Sequence, residues 1–600
     1  METLWSISTT IREANRLPGF VKAALEIDGE EWNPETSMKF QSLLIKNREF
    51  LNGDDAATYN KLNPKQIEIL KDKTREMTYE EARGIFDAKN YQDPPMRGRN
   101  SMAPLHKLGL VLHKVVRGKR YIFVSEVGKK LVSGEMTLER VLLEAMLKMQ
   151  LTNPLDGYEG WNIKPFVTLL RLIKEVNRKA VLRGMKEKGI SRLELGIYWL
   201  SMKDYRKVDE VANRILNFRE RYESLADEDR KAFADSVIES YLADFNNPLK
   251  NVDEYSDNVI RYIRPTQLIH RRGKYENVYI DIEPRRMIEV DSILANDDGS
   301  CKQFASEEAW DTYLGTPGSY MLPYETVTKL QSILQGINKE INVLERNIGL
   351  TATSCPIPLQ KEALEKLIEE RRAYRLELQN LQLKEVYRAD ISKIDETIQV
   401  LSDIHNCNRR QVKGRFSVEF ESQANKAMSI LDDAIQIKPN AVIGDDGEFI
   451  FTAGGDKADL ECFYEDFCSI VEVTTLRNRD QWVAEGQPVM RHLRNFEDTQ
   501  SNPAYCLFVA PEVHRDTINT FYNAVKYEFE SRKQRIIPLN ITQFQRLLKI
   551  AKKLAERGNH VDHRRLKQFY DDCLVGFNSS LEWGDHINHA IVNWENEVKL

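Results

Sequence analysis

The sequence predicts a multidomain α+β chain, mainly helical: a helical N-terminal half with winged-helix-like subdomains, a helical linker domain, and a C-terminal α/β domain with a mixed sheet. Three observations predict it. Apolar residues at helical spacing dominate the first 90 residues and return as far as about 400. Two basic, glycine-turned hairpins follow helical segments within the first 300 residues. Beyond 400, strands rich in Val, Ile and Phe alternate with amphipathic helices, the pattern of a mixed α/β layer.

The bulk composition bounds the class. With 600 residues, the chain is long enough for several cores. It is 42% hydrophobic and 30% charged, the balance of a folded protein with a charged surface. The net charge of −6 neither favours nor excludes nucleic acid, since a whole-chain sum hides local basic patches. No apolar run is long enough for a membrane span, so no membrane partner is expected. The opening METLWSISTTIREANRL lacks a signal-peptide core. Seven cysteines without a CxxC pair point to a reduced, cytoplasmic protein without structural zinc. The two HxxH pairs, His560/His563 and His586/His589, have no third ligand nearby in sequence.

In chain order, KFQSLLIKNREFL reads as a helix, as does TYEEARGIFDAKN, which opens on a capping-box pair, Thr78 and Glu81. Residues 96–131 then read as helix, strand, turn, strand and short helix, the order of a winged-helix unit, with Arg117-Gly118-Lys119 at the turn. Along that window Arg97, Arg99, Lys107, Lys114, Arg117, Lys119, Arg120, Lys129 and Lys130 face one acid, Glu126. Helices are predicted at 165–185 and 208–223. Residues 255–282 repeat the format with Arg261, Arg264, Arg271, Arg272 and Lys274, and Arg272-Gly273-Lys274 as a second wing turn. The bland alternative is a solvated charged face; two patches of one format favour DNA contact. The recognition subdomains are set at 1–150 and 151–300.

Residues 301–395 are read as the linker domain. Within 325–400, Gln/Glu/Arg-rich segments carry a narrow apolar stripe, Leu364, Leu367, Tyr374, Leu378 and Leu381, which predicts an antiparallel helical hairpin broken at TSCPIPLQ.

The last domain, 396–600, has predicted strands at 449–453, 459–464, 468–475, 504–511 and 535–540, and predicted helices at 411–433, 487–498, 515–531 and 541–556. Its most informative stretch is ADLECFYEDFCSIVEVTT, 458–475. If Glu465-Asp466 is a two-residue hairpin loop, Tyr464 faces Phe467 and Asp459 falls opposite Glu472. Cross-strand partners have Cβ atoms roughly 4.5–5.5 Å apart, where like charges repel unless a cation lies between them. The alternative is a pair of surface salt bridges to Lys457, Arg477 or Arg479. Downstream, Pro488 suits the first turn of a helix, which sets Glu485 just before its N-terminus. Glu419 and Glu421 lie on the helix upstream. An all-carboxylate donor set without paired histidines suits Mg²⁺, the usual partner of phosphodiester chemistry.

The run Asp459-Leu-Glu…Tyr464-Glu-Asp-Phe…Glu472-Val-Thr-Thr…Glu485-Gly-Gln-Pro-Val-Met-Arg-His492 resembles the catalytic core of AlwI-like type IIS restriction endonucleases and their strand-nicking relatives, within the PD-(D/E)xK nuclease superfamily. WSIST near the start, MRGR…APLHKLGLV at 96–111, and YCLFVAPEV followed by RIIPL carry the same resemblance over nearly the whole chain. It implies a PD-(D/E)xK-type cleavage domain at 396–600 and a site-specific, restriction-modification type II deoxyribonuclease that cuts at a fixed offset from an asymmetric site. By motif position the active-site acids fall on Asp459, Glu472 and Glu485, with the helical acid on Glu421 and Glu419 as its rival. Metal ligands would be Asp459, Glu472 and the carbonyl of Val473, holding Mg²⁺ or Mn²⁺ as a substitute. Gln487 is placed to hydrogen-bond the attacking water. Ala458 stands where the superfamily usually has proline, and Thr474 where it usually has lysine.

The expected partners are double-stranded DNA, a functionally paired DNA methyltransferase, and a homodimer mate or second catalytic subunit on DNA. Arg97 and Arg99 lead the expected DNA contacts, with Lys114, Arg117, Lys119, Arg120 and the second patch behind them. The alternatives are a nickase subunit of a heterodimeric enzyme and a DNA-binding protein with a vestigial nuclease site.

Overall fold

The computed structural model describes residues 2–7, 10–51, 56–72, 75–155, 158–273, 278–408, 412, 415–431, 434–455 and 457–598. It is mainly helical, and the chain divides into two compact units, one reaching Leu330 and the other starting at Gln331.

In the first unit, α1 (Pro34–Lys46) packs on α2 (Pro94–Lys107). The two helices touch at Gly98, where a Cβ would lie 1.9 Å from the Ser37 carbonyl oxygen. The Thr78–Glu81 capping box forms as predicted, each side chain bonding the other's backbone N–H. After α2 come β1 (Val111–Val116), β2 (Lys119–Val124) and α3 (Glu126–Ser133), in the predicted order. The β1–β2 turn is Arg117-Gly118, with φ of 52° and 79°. Positive φ at both positions is the type I′ geometry that matches strand twist.

The predicted helices at 165–185 and 208–223 are α4 (Pro165–Leu182) and α5 (Val208–Ser224). Behind α6 (Pro248–Ile263), β4 (Ile269–Arg272) and β5 (Tyr279–Ile282) pair antiparallel, and β5 also pairs with β3 (Ile190–Ser191). The pairing Arg272↔Tyr279 replaces the predicted tight Arg-Gly-Lys turn with a six-residue connection. Lys274 lies in that connection and outside the described residues.

The helix α7 (Val327–Asn347) is followed by a thirteen-residue segment and α8 (Lys361–Ala389). The expected antiparallel hairpin is not what forms. Gln331 donates to the Pro358 carbonyl, Arg371 to Asn338 at 2.8 Å, and Tyr374 to Glu345 at 3.1 Å. These partners advance together, so α8 runs parallel to α7. Thirteen extended residues span roughly 43 Å, more than the ~31 Å of a 21-residue helix, so the connection has length to return along α7. The buried stripe of α8 also differs from the predicted one: it runs Leu364, Ile368, Arg375 and Leu378.

After α9 (Ile391–His405) and α10 (Phe416–Leu431) comes the mixed sheet. Residues 411, 413, 414, 432 and 433 of the predicted 411–433 helix lie outside the described residues. Among the described residues the sheet has the order β12 (Ile536–Asn540), β11 (Ala504–Ala510), β10 (Cys468–Val473), β9 (Leu460–Phe463), β6 (Gln436–Pro439). β10 and β12 run parallel to β11, while β9 is antiparallel to β10 and to β6. The predicted strand at 449–453 is β8 (Phe449–Phe451), which joins a separate hairpin with β7 (Val442–Ile443). Against the sheet pack α11 (Asn478–Glu497), α12 (Arg515–Lys526) and α13 (Ile541–Ala555). Val471, Leu507, Phe508 and Ile537 form the sheet side of that core, and Leu493, Phe521 and Leu547 the helix side.

The start of α11 corrects a prediction. The helix begins at Asn478, ten residues before Pro488, so Glu485 lies inside it rather than ahead of it. An interior proline removes one helical hydrogen bond, but tertiary anchoring holds the first turns. Gln481 is fully buried, donates to the carbonyls of Leu476 and Glu512, and accepts from the His514 N–H.

Candidate active site

The observed pairings Cys468↔Phe463 through Val471↔Leu460 extend to Glu472 opposite Asp459. The Tyr464 N–H donates to the Phe467 carbonyl and closes the two-residue turn. Asp459 stands one residue before β9, and its Oδ2 accepts the Val473 N–H at 2.7 Å. Glu421 reaches the same place from α10: it is buried, and its Oε2 accepts the Ala453 N–H at 2.9 Å. Glu419, its rival, is occupied on the other side by Gln423 at 2.7 Å.

These carboxyls raise one another's proton affinity. Burial first, then the charge of Asp459, pushes Glu421 up to about 9. Asp459 is raised well above the usual carboxylate range by burial and by Glu472 and Glu485. Glu472 is raised by burial and by Glu485 and Glu421. The four acids therefore sit within electrostatic reach of one another, Glu421 and Glu472 buried and Asp459 and Glu485 half-buried. Among the described residues, Lys457, Arg477 and Arg479 form no ion pair with Asp459 or Glu472: Lys457 is exposed, Arg477 bonds the His405 carbonyl and lies 3.8 Å from Glu512, and Arg479 lies over Trp482.

The sequence alone gave His492 no role, although the residue closes the motif. Its Nδ1 lies 2.8 Å from Glu472 Oε1, and its Nε2 lies 3.3 Å from the Gly455 carbonyl. A carbonyl only accepts, so Nε2 carries a proton, and a second proton is shared with Glu472. The signal was present: Glu485, Val489 and His492 share one helix face at spacings of four and three, once α11 is started at Asn478. Thr474 is buried and its hydroxyl accepts the Leu476 N–H at 3.2 Å. Gln487 is exposed on α11.

Among the described residues, no three His, Cys, Asp or Glu side chains form a ready metal cage. The donor set nevertheless fits Mg²⁺. Its donors are oxygens, two of them on the buried Glu421 and Glu472, and His492 stands beside Glu472. Mg²⁺ is ordinarily held by one or two carboxylates with waters and substrate phosphate completing the shell.

A family model for the AlwI restriction endonucleases matches residues 106–547. The chain belongs to the AlwI restriction endonuclease family. Among solved structures, the small subunit (R.BspD6I2) of the heterodimeric restriction endonuclease R.BspD6I matches with 20% identity over 32% of this chain and 98% of its own, at a TM-score of 0.28. The restriction endonuclease FokI matches with 11% identity over 93% of this chain and 97% of its own, at a TM-score of 0.22. No curated protein matches the chain.

AlwI-family enzymes act on DNA, and the basic residues of the first unit are the ones to place. Several already pair with acids, of which Glu13, Glu31 and Glu307 come from outside the windows that hold the patches. Arg99 pairs with Asp93 at 2.9 Å, Lys119 with Glu31 at 2.6 Å, and Arg120 with Glu307 at 3.7 Å. Arg261 pairs with Glu13 and Asp257, and Arg272 lies 3.4 Å from Asp281. Arg264 and Arg271 are half-buried. Among the described residues no carboxylate pairs with Arg97, Lys114 or Arg117. Arg97 lies 4.7 Å above the Tyr91 ring, and Lys114 5.4 Å from the Phe123 ring. At the β1–β2 tip, Val115 and Val116 beside Arg117 are 61% and 50% exposed. Among the described residues no helix is long and apolar enough to cross a membrane.

Proposed function

We propose that this AlwI-family chain is a type IIS enzyme of the PD-(D/E)xK kind, which reads an asymmetric duplex site through its N-terminal half and hydrolyses phosphodiester bonds at a fixed offset. The carboxylate cluster of Glu421, Asp459, Glu472 and Glu485 carries this reading. Carboxylates that repel one another around one partly buried place are not a stabilising arrangement, and a cation resolves the repulsion.

In this proposal Asp459, Glu472 and the Val473 carbonyl hold Mg²⁺, with Mn²⁺ as a substitute. When bound, the ion lowers the pKa of a water and neutralises charge building on the phosphate. The chain's own residues set the geometry. The Val473 N–H fixes the Asp459 carboxylate, and His492 fixes the rotamer of Glu472, the support that metal-binding groups need from their neighbours. Glu421, held by Ala453, and Glu485 face the same phosphate and orient the attacking water. With Thr474 in place of lysine, the positive charge at the phosphate comes from the ion.

For DNA contact the leading residues are Arg97, Lys114 and Arg117, whose charges are not already cancelled. Phosphate contacts fix register and base-edge contacts read sequence. A single cluster cuts one strand, so cutting both requires a second copy or a partner subunit; without one the product is a nick. A paired methyltransferase would protect the host site.

The test is a digest of supercoiled plasmid by the purified protein with Mg²⁺ or EDTA, followed by sequencing of the product ends. Site-specific ends at constant distance from one sequence are expected. Random ends would remove the site-specific reading, and absence of both nicking and cleavage would remove the enzyme.

A further inference from the structure

The helix α8 is built into the catalytic unit at its buried stripe. Arg375 occupies a stripe position where an apolar side chain would ordinarily sit, and its side chain is 1% exposed. Its guanidinium donates to Asp445 Oδ1, itself buried, and lies 3.5 Å from Glu340 of α7. Asp445 belongs to the turn between β7 and β8. That turn is tightly closed: Gly447 donates to the Gly444 carbonyl and Gly444 to the Glu448 carbonyl, both at 2.8 Å. The buried Phe449 and Phe451 of β8 fix the hairpin, and β8 packs on α10, the helix that carries Glu421.

The segment after β8 reaches the site. Two residues past Phe451, the Ala453 N–H donates to Glu421, and two further on the Gly455 carbonyl meets His492. Residues 452–455 lie outside any strand and include Gly454-Gly455, so their position depends on the hairpin before them and on β9 after them. Further along, α8 makes two more ties from other faces. Asn380 donates to the Ile437 carbonyl at 2.6 Å and accepts from Asn425 of α10 at 3.1 Å, and Lys384 bonds the Ala434 carbonyl.

We infer that Arg375 is a positioning residue for phosphodiester cleavage: through Asp445 it holds the β7–β8 hairpin so that Ala453 and Gly455 meet Glu421 and His492. This rests on reading the carboxylate cluster as the active site. A guanidinium fork on a carboxylate fixes direction as well as distance, which apolar packing at the same position does not. Small displacements of catalytic groups have large kinetic effects, roughly a hundredfold for about 1 Å.

The experiment measures kcat, KM and DNA affinity of the full chain on a duplex bearing its site, with Mg²⁺, for Arg375→Met, Asp445→Asn and Arg375→Lys, alongside their melting curves. Arg375→Met and Asp445→Asn are expected to lower kcat by about 10- to 100-fold at unchanged KM and DNA affinity. Arg375→Lys, which keeps the charge, is expected to recover part of the loss. Should Arg375→Met fail to fold, Asp445→Asn, which keeps the shape, carries the comparison. Wild-type kcat in a folded variant, a kcat that falls only with the folded fraction, or a change confined to KM would overturn the inference. The site reading fails separately, if Asp459→Asn cleaves as fast as the unaltered protein.

Discussion

Asp459, Glu472, Glu421 and Glu485 oppose one another in the metal-free protein, and this has a measurable consequence. Replacing Asp459 by Asn removes one charge while keeping an acceptor for the Val473 N–H. Without divalent ions, Asp459→Asn is expected to melt above the unaltered protein. Adding Mg²⁺ should raise the melting temperature of the unaltered protein and leave the variant nearly unmoved, because a ligand stabilises only the state that binds it. Cleavage by the variant should fall at least about a hundredfold. A second residue-scale expectation concerns His113. Burial first, then the neighbouring His106 ring and Arg120, holds its imidazole down at about 3. The unfolded chain takes up this proton below pH ~6.5 and the folded one does not, so folding stability should fall as pH drops from 6.5 towards 3. For this group alone the slope is about 1.4 kcal/mol per pH unit. Melting curves of the unaltered protein and His113→Leu across that range would show the difference, and parallel curves would refute it.

At the scale of elements, α1 and α2 approach so closely at Gly98 that a methyl group would meet the Ser37 carbonyl. Gly98→Ala is expected to cost roughly 1–3 kcal/mol, read from chemical denaturation; an unchanged midpoint would mean that the helices part without penalty. The same scale shows what was legible in the sequence. The Tyr464–Phe467 hairpin and its register were, because a two-residue turn leaves one way to count outward. The start of α11 was not: Pro488 mimics a helix start, whereas Gln481, anchored by distant carbonyls, holds the turns before it. The direction of α8 was hidden because a thirteen-residue connection permits either sense. Arg375 was hidden because a buried arginine looks like a surface one until Asp445, 70 residues away, is brought to it. The ion pairs of the basic patches were hidden for the same reason, since Glu31, Glu307 and Glu13 come from elsewhere in the chain.

At the scale of the whole molecule, DNA affinity should depend on salt through the few cations left unpaired. Arg117→Ala is expected to reduce the slope of log K against log salt by about one, whereas Arg99→Ala, whose charge Asp93 already meets, should change it less. Equal changes would show that ion pairs on this face open on binding. The partition of the chain has a practical side. Residue 396, where composition placed the start of the cleavage domain, falls inside α9, and a cut there discards Arg375, Asn380 and Lys384. A fragment starting at Gln331 keeps the returning connection and α8, and is expected to melt cooperatively where 396–600 does not. On that expectation, a fusion of this domain to a foreign DNA reader is spliced ahead of α8, some 65 residues before residue 396.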